Sequence, residues 1–196
     1  MRCMFANCYE LKYLDLTNFD TSKVTNMEQM FSKCYKLKEI KGINNFITIN
    51  VTDMRYMFEN CYELVNLDLS NFNTSKVTDI SYMFYKCYKL KEIKGINNFI
   101  TINVTNMKAM FRGCHELVNL DLSNFNTSKV TDISYMFYKC YKLKEIKGIN
   151  NFRFGYMTDL TGMFDECNDL KYISKFNSLD SQLIYKIINR KLIKDN

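Results

Sequence analysis

Cysteine and histidine are the side chains of this sequence that could act as nucleophiles or metal ligands. The 196 residues include eight cysteines and one histidine. Cys114 directly precedes His115, and a thiol next to an imidazole can form a nucleophile with its base. Side chains adjacent in sequence seldom point at one another, however, and no CxxC pair of the kind that binds zinc is present. The pattern therefore predicts no catalytic residue, no metal site and no cofactor.

Other motifs of catalysis or cation binding are equally weak. The sequence has no Gly-rich phosphate loop, no G-x-S-x-G turn and no H-E-x-x-H pair. Asp159, Asp165, Glu166 and Asp169 form a small acidic cluster, but its spacing differs from that of a calcium loop, so only a weak cation site stays open there. We therefore interpret the protein as a non-enzyme.

The spacing of the cysteines reveals a repeat. A cysteine recurs every 26 or 27 residues, and a phenylalanine lies three residues before each of them. These cysteines are Cys8, Cys34, Cys61, Cys87, Cys114, Cys140 and Cys167. A period of this length without interruption is typical of a solenoid, and one thiol in each repeat packs as a small hydrophobic side chain. We predict a structural column of buried cysteines made by Cys34, Cys61, Cys87, Cys114 and Cys140.

Each repeat contains one segment for a strand and one for a helix. The segment 64–69, LVNLDL, has the L-x-x-L-x-L pattern of a leucine-rich-repeat strand. Ile80, Met83, Phe84 and Cys87 have helical spacing. The fold class is therefore an α/β leucine-rich-repeat solenoid of about seven right-handed coils. A parallel β-sheet forms one face, and short helices or helical turns form the other.

Alternate repeats contain one additional residue. It lies beside Gly42, Gly95 and Gly148, where LKEIKGINNF replaces the LDLSNF of the other repeats. The pattern predicts a one-residue bulge in which glycine accommodates the backbone.

The ends of the chain differ from the repeat. We predict a solenoid over residues 1–176 and a capping helix over 177–196, with partner or membrane-surface binding as the alternative role of that helix. Its apolar face comprises Leu183, Ile184, Ile187, Ile188 and Leu192. No cap precedes the first coil, so we expect self-association through this N-terminal coil.

Charged residues alternate along the predicted sheet. The net charge is +6, and one exposed strand position reads Asp15, Lys41, Asp68, Lys94, Asp121 and Lys147 in successive coils. In a parallel sheet these side chains would form a structural ladder in which each lysine lies between two aspartates. Local pairing of this kind argues against a nucleic-acid partner. No apolar run approaches the roughly 18 residues of a transmembrane segment.

Tyrosines form the strongest candidate for a binding surface. They recur after the repeat cysteine and in the predicted helical segment, and aromatic side chains are enriched at protein interfaces. The candidate protein-binding residues are Tyr56, Tyr62, Tyr82, Tyr85, Tyr88, Tyr135, Tyr138 and Tyr141. Packing of these rings between successive coils is the alternative.

The units MFYKCYKL and LDLSNFNTSKVTDI resemble those of the BspA-like leucine-rich-repeat proteins over residues 1–176. Members of that family are mostly surface-exposed or secreted proteins of bacteria and protists, implicated in adhesion. The resemblance implies a protein at the cell surface or outside the cell that binds an extracellular-matrix or host surface protein. The family motif does not define binding residues.

Two alternatives to adhesion stay open. The start MRCMFANCYE lacks the apolar segment of a signal peptide, which together with the thiols favours an intracellular interaction scaffold. The near-identical repeats favour a structural, self-assembling element.

Overall fold

The computed structural model describes residues 1–170, and the predicted capping helix lies outside them. Six three-residue strands occur in this part of the chain: β1 Tyr13–Asp15, β2 Glu39–Lys41, β3 Asn66–Asp68, β4 Glu92–Lys94, β5 Asn119–Asp121 and β6 Glu145–Lys147. Three short 3-10 helices follow the even-numbered strands at Ile43–Asn45, Ile96–Asn98 and Ile149–Asn151. The total of about seven coils stays a prediction, because the last of them would extend past residue 170.

The strands form parallel pairs, β1 with β2, β3 with β4 and β5 with β6. Between residues 1 and 170 this differs from the predicted uninterrupted sheet. The interruption follows β2 and β4, where the additional residue beside the glycine changes the path of the backbone. There the side-chain amide of Asn71 bridges two coils by donating to the carbonyl of Asn44, at 2.9 Å.

A second line of parallel bridges is continuous from coil to coil. It joins Asn26, Asp53, Asp79, Asn106, Asp132 and Asp159 in succession. This line lies just before the M-x-x-M-F-x-x-C segment, so the two sides of each coil are connected differently. The strands hold pairs of coils together, and the second line connects every pair to the next.

The predicted helical segment is a series of turns. Within one coil the N–H of Met30 donates to the carbonyl of Met27, and the N–H of Cys34 donates to that of Phe31. The N–H of Phe31 instead donates to Met57 in the next coil, at 2.9 Å. The sequence left short helices and helical turns as alternatives, because both geometries place apolar side chains at the same spacing, and between residues 1 and 170 this segment forms turns. An α-helix would direct every N–H along its own axis, whereas these turns use alternate N–H groups to join coils.

The turns require a left-handed backbone at alternate positions. Gln29 and Lys33 have φ values of 56° and 61°, and the same two positions are left-handed in the other coils. A positive φ at the third residue of a turn is characteristic of type II turns. Each such residue other than glycine has an energetic cost, which the hydrogen bonds to the next coil offset.

The core consists of columns of identical side chains. Phenylalanine rings stack along the protein with centroid separations of 5.4 to 5.7 Å from Phe5 to Phe164. Beside them the cysteines from Cys34 to Cys167 are buried. Each of these thiols donates to the carbonyl of the repeat phenylalanine in the preceding coil, as for Cys87 Sγ and Phe58 O at 3.1 Å.

Burial controls the reactivity of these thiols. It raises the pKa of Cys34 to about 12 and raises the pKa of Cys61 and Cys87 well above the ordinary value. Only the thiolate reacts quickly with disulfide reagents. At about pH 8 we therefore expect such a reagent to label the exposed Cys3 and Cys8 in the folded protein. The other six cysteines should react only after unfolding. Peptide mapping by mass spectrometry measures this, and rapid labelling of Cys87 would contradict the buried column.

Candidate protein-binding surface

One continuous aromatic column runs along the coils. It is formed by the residue that follows each repeat cysteine: Tyr9, Tyr35, Tyr62, Tyr88, His115 and Tyr141. Successive ring centroids are 4.6 to 4.9 Å apart. Hydrogen bonds between the turns of successive coils, here called the turn ladder, hold neighbouring backbones at about 4.8 Å, the usual strand spacing, which is close to the separation of these rings. We call this set the aromatic column. From Tyr35 onward its rings are half-buried, with their faces covered by neighbours.

His115 belongs to the aromatic column and does not point at Cys114. Its ring stacks at 4.6 Å on Tyr88 and at 4.7 Å on Tyr141. Burial, and next the charge of Lys139, lower the pKa of His115. The thiol of Cys114 is buried and donates to the carbonyl of Phe84 at 3.2 Å. The two side chains therefore have different partners.

Ion pairs flank the aromatic column. Glu10 with Lys36, Glu63 with Lys89 and Glu116 with Lys142 are 2.7 to 2.8 Å apart. The sequence analysis missed this row, although glutamate and lysine alternate two residues after the repeat cysteine. The pairs neutralise most of the charge beside the column.

The remaining candidate tyrosines lie on the turns before the cysteine. Tyr56 stacks on Tyr82 at 4.8 Å. Tyr82 meets Tyr85 edge to face at 5.5 Å, and Tyr135 meets Tyr138 in the same way at 5.7 Å. These rings form two separate groups in the described part of the chain, because Ala109 occupies the equivalent position between Tyr82 and Tyr135. Tyr56, Tyr82 and Tyr135 also have positive φ values.

The Asp and Lys side chains of the strands form separate pairs. Lys94 Nζ is 3.1 Å from Asp68 Oδ2, and Lys147 Nζ is 3.1 Å from Asp121 Oδ2. Each pair connects the two strands of one parallel pair, as does the Asp15–Lys41 pair at 2.9 Å. The structure thus places the lysines beside the aspartate of the preceding coil.

The Asp68 carboxylate should stabilise the fold in a pH-dependent way. The hydroxyl of Ser70, then its backbone N–H, and then Lys94 lower the pKa of Asp68. Because the pKa of Asp68 is lower in the folded protein, its ionised carboxylate stabilises the fold at pH values above the unfolded pKa of about 3.9. This stabilisation is lost as the pH falls through the folded pKa. Asp68→Asn should therefore cost up to about 1 kcal/mol at neutral pH, because the side chain is partly exposed, and less at acidic pH, below the unfolded value. Urea unfolding at neutral and at acidic pH tests this.

The matched control for Asp68→Asn is Glu92→Gln. Glu92 is an exposed strand carboxylate, and it has no salt bridge within residues 1–170. Its replacement removes a strand carboxylate without breaking a salt bridge of the described residues, so it should change the free energy of unfolding little. An equal loss in both variants would contradict the specific role of Asp68.

Exposed isoleucines form a further feature that the sequence analysis missed. Ile47 and Ile49 are exposed, and Ile100 and Ile102 are exposed at the equivalent position two coils later. The alternating pattern of F-I-T-I-N was the available signal, because Thr48 and Thr101 between them are buried. Hydrogen bonds from the threonine hydroxyls hold these loops, as between Thr48 and the carbonyl of Asn73 at 3.0 Å.

The sequence matches the family described as "Mycoplasma protein of unknown function, DUF285" over residues 1–95 and 90–190. The chain belongs to the DUF285 family. The BspA-like leucine-rich-repeat family inferred from the repeat motif is thereby confirmed. No curated protein matches this DUF285 sequence.

Solved leucine-rich-repeat structures resemble this DUF285 chain. A leucine-rich-repeat protein of T. pallidum is 19% identical with a TM-score of 0.57, and the match covers 89% of this chain and 77% of that one. A leucine-rich-repeat protein from Bacteroides ovatus is 19% identical with a TM-score of 0.44, covering 78% and 41% of the two chains. The first of these similarities shows a shared fold of the leucine-rich-repeat type.

Between residues 1 and 170 the chain has neither a metal-ligand cluster nor a membrane-spanning helix. No group of three His, Cys, Asp or Glu side chains there could hold a metal ion. The same part of the DUF285 chain has no helix with the length and apolar character needed to cross a membrane.

Proposed function

We propose that this DUF285 protein is a non-enzymatic, protein-binding repeat module that acts in adhesion at the cell surface or outside the cell. The aromatic column is the observation that carries the proposal. It presents a continuous line of ring edges along the coils, which suits an extended protein surface better than a small molecule.

The stacked rings have the physical properties of a binding surface. Each ring from Tyr35 to His115 is fixed by a neighbour on both faces, so binding a partner there costs little additional side-chain entropy. Partial burial raises the pKa of Tyr62, which keeps its hydroxyl protonated and able to donate a hydrogen bond. The flanking ion pairs form a polar rim around this aromatic centre.

Repetition supports a role in adhesion. Residues 77–99 and 130–152 are identical, so the same surface features occur at two places along the axis. A partner that contacts both places gains affinity through effective concentration. The resemblance to BspA-like proteins favours an extracellular-matrix or host surface protein as this partner.

The test measures retention of matrix and cell-surface proteins on the immobilised protein, in parallel with a cytosolic lysate. The variant Tyr62→Ala/Tyr88→Ala removes two central rings of the aromatic column. Lys76→Ala is the matched control. Lys76 is exposed, lies outside the aromatic column and donates a hydrogen bond to the side chain of Asn50.

We expect the wild type and the Lys76→Ala control to retain a matrix or surface protein, and the double tyrosine variant to bind it at least tenfold more weakly. Melting curves establish that all variants are folded. Retention of cytosolic proteins alone would overturn adhesion in favour of an intracellular scaffold. Recovery of the chain alone would favour a self-assembling element.

A further inference from the structure

One coil interrupts the repetition of the surface. The coil with residues 107–115 lies between the two identical segments 77–99 and 130–152. Its core residues follow the repeat, because Met107, Met110, Phe111 and Cys114 are all buried. Five of its other residues differ from their equivalents in both neighbouring coils: Lys108, Ala109, Arg112, Gly113 and His115 stand where the preceding coil has Ser81, Tyr82, Tyr85, Lys86 and Tyr88, and the following coil repeats those residue types.

Three of these residues, Arg112, Gly113 and His115, line a groove of about 360 Å³. Its two sides are equivalent, with Tyr85 and Lys86 on one side and Tyr138 and Lys139 on the other. Its base is Gly113, which has no side chain where both neighbouring coils have lysine. The edges of Tyr88, His115 and Tyr141 from the aromatic column complete the lining.

Tyrosine rings hold Arg112 in the centre of the groove. The carbon of its guanidinium group is 4.7 Å from the centroid of Tyr138, 5.2 Å from that of Tyr135 and 5.6 Å from that of Tyr85. Ala109 leaves the space beside it that a tyrosine fills in the neighbouring coils. The rings attract the cation without neutralising its charge.

The positive charge of the groove is only partly neutralised. Between residues 1 and 170, neither Arg112 nor Lys86 has a carboxylate within 4.0 Å, whereas Lys139 lies 3.7 Å from Glu166. Just outside the groove, Lys89 and Lys142 are both in short ion pairs. The carboxylate of Glu166 also accepts a hydrogen bond from the Tyr138 hydroxyl at 2.8 Å. Uncompensated charge is therefore concentrated at Arg112 and Lys86.

We propose that this groove binds an acidic segment of the protein partner through its Asp or Glu carboxylates. The inference rests on the proposed protein-binding function and names the chemistry that its central site recognises. A guanidinium group matches the two oxygens of a carboxylate, and the fixed rings keep it oriented. Lys86 and Lys139 lie two coils apart, roughly 10 Å, which matches a peptide carrying several carboxylates better than one small anion.

The probe for this site is a fluorescein-labelled hexaglutamate peptide, whose binding is followed by fluorescence anisotropy. Arg112→Tyr removes the central cation and introduces tyrosine, the residue at the equivalent position of the neighbouring coils, Tyr85 and Tyr138. Gly113→Lys fills the base of the groove while adding a positive charge. Lysine is compatible with this left-handed position, because Lys86 and Lys139 have φ values of 57° and 61°. Lys129→Gln, an exposed lysine in another segment, is the control for loss of one charge.

Arg112→Tyr should weaken binding of the peptide roughly tenfold to a hundredfold, the effect of losing a charged hydrogen-bonded pair. Gly113→Lys should also weaken it, although the variant carries more positive charge. Lys129→Gln should change it less than about twofold. Stronger binding by Gly113→Lys, or an equal effect of Lys129→Gln and Arg112→Tyr, would mean general charge attraction and overturn the site.

Two further outcomes separate this inference from the proposed function. Heparin, a sulfated polysaccharide, replaces the peptide in a parallel titration. Binding of heparin but not of the peptide, with the same dependence on Arg112, would overturn the acidic-peptide assignment. Retention of a matrix protein by the wild type without any binding of hexaglutamate would overturn the groove and leave the adhesion function standing.

Discussion

Phe84→Ala is expected to lower the free energy of unfolding by roughly 3 to 5 kcal/mol, the range for removing a buried aromatic ring. The Phe84 ring is fully buried and stacks at 5.7 Å on Phe58 and at 5.5 Å on Phe111. Its removal leaves a cavity between three coils, and the turn ladder prevents the backbone from closing that cavity. Unfolding in urea measures the loss.

Tyr88→Ala is the matched control for Phe84→Ala. Tyr88 lies in the same coil and also stacks on both faces, at 4.8 Å on Tyr62 and at 4.6 Å on His115. It is half-buried, so its removal should cost less, roughly 1 to 2 kcal/mol. Equal losses in the two variants would show that the aromatic column is as structural as the phenylalanine column.

The difference between these two variants bears on the function of the tyrosines. The sequence left two interpretations open, packing between coils or contact with a partner. The structure shows ring stacking between coils, yet the ring edges of Tyr35, Tyr62, Tyr88 and Tyr141 remain partly accessible. A small effect of Tyr88→Ala on stability together with a large effect on retention of a partner would assign the column chiefly to binding.

The periodicity of the sequence predicted the parts of the fold that every coil shares. Cys34, Cys61 and Cys87 lie in one buried column, and the phenylalanine three residues before each cysteine forms another. These predictions follow directly from spacing, because equivalent residues of stacked coils must become neighbours. The leucine-rich-repeat class follows from the same regularity.

Spacing could not distinguish the turns from a helix. Met27, Met30, Phe31 and Cys34 point to the core in either conformation. The signal that favours turns is subtler, because Asn60 and Gly113 occupy the same position as Lys86 in their coils, and asparagine and glycine tolerate a left-handed backbone best. Lysine and tyrosine at such positions carry no local signal, since the hydrogen bonds between coils impose their conformation.

The groove at Arg112 was missed for the opposite reason. Periodicity reveals what the coils have in common, and this groove exists where one coil differs from its two identical neighbours. Arg112 and Gly113 become conspicuous only when the neighbouring tyrosines and lysines are in place around them. The sequence signal for this site is the departure of Arg112, Gly113 and His115 from the residues shared by both neighbouring coils.

Gly95→Ala is expected to destabilise the protein by roughly 2 to 5 kcal/mol, the combined cost of a left-handed alanine and of overpacking. Gly95 has φ 81° and follows β4. A Cβ atom on Gly95 would lie 2.4 Å from the Cα of Ser70 and 2.6 Å from its N, both backbone atoms. The clash can be relieved only by moving one coil away from the next.

Gly113→Ala separates the two contributions to the Gly95 effect. Gly113 is also left-handed, with φ 78°, but a Cβ atom there would lie no closer than 3.4 Å to Lys86. This variant should lose only the conformational contribution, about 1 to 2 kcal/mol. Urea unfolding of both variants measures the difference, which is the cost of separating two coils at the glycine. Equal losses of stability would mean that glycine is required at this site only for its left-handed backbone conformation. A larger loss at Gly95 would mean that glycine is required there because the coil after β4 packs directly on the backbone that follows β3.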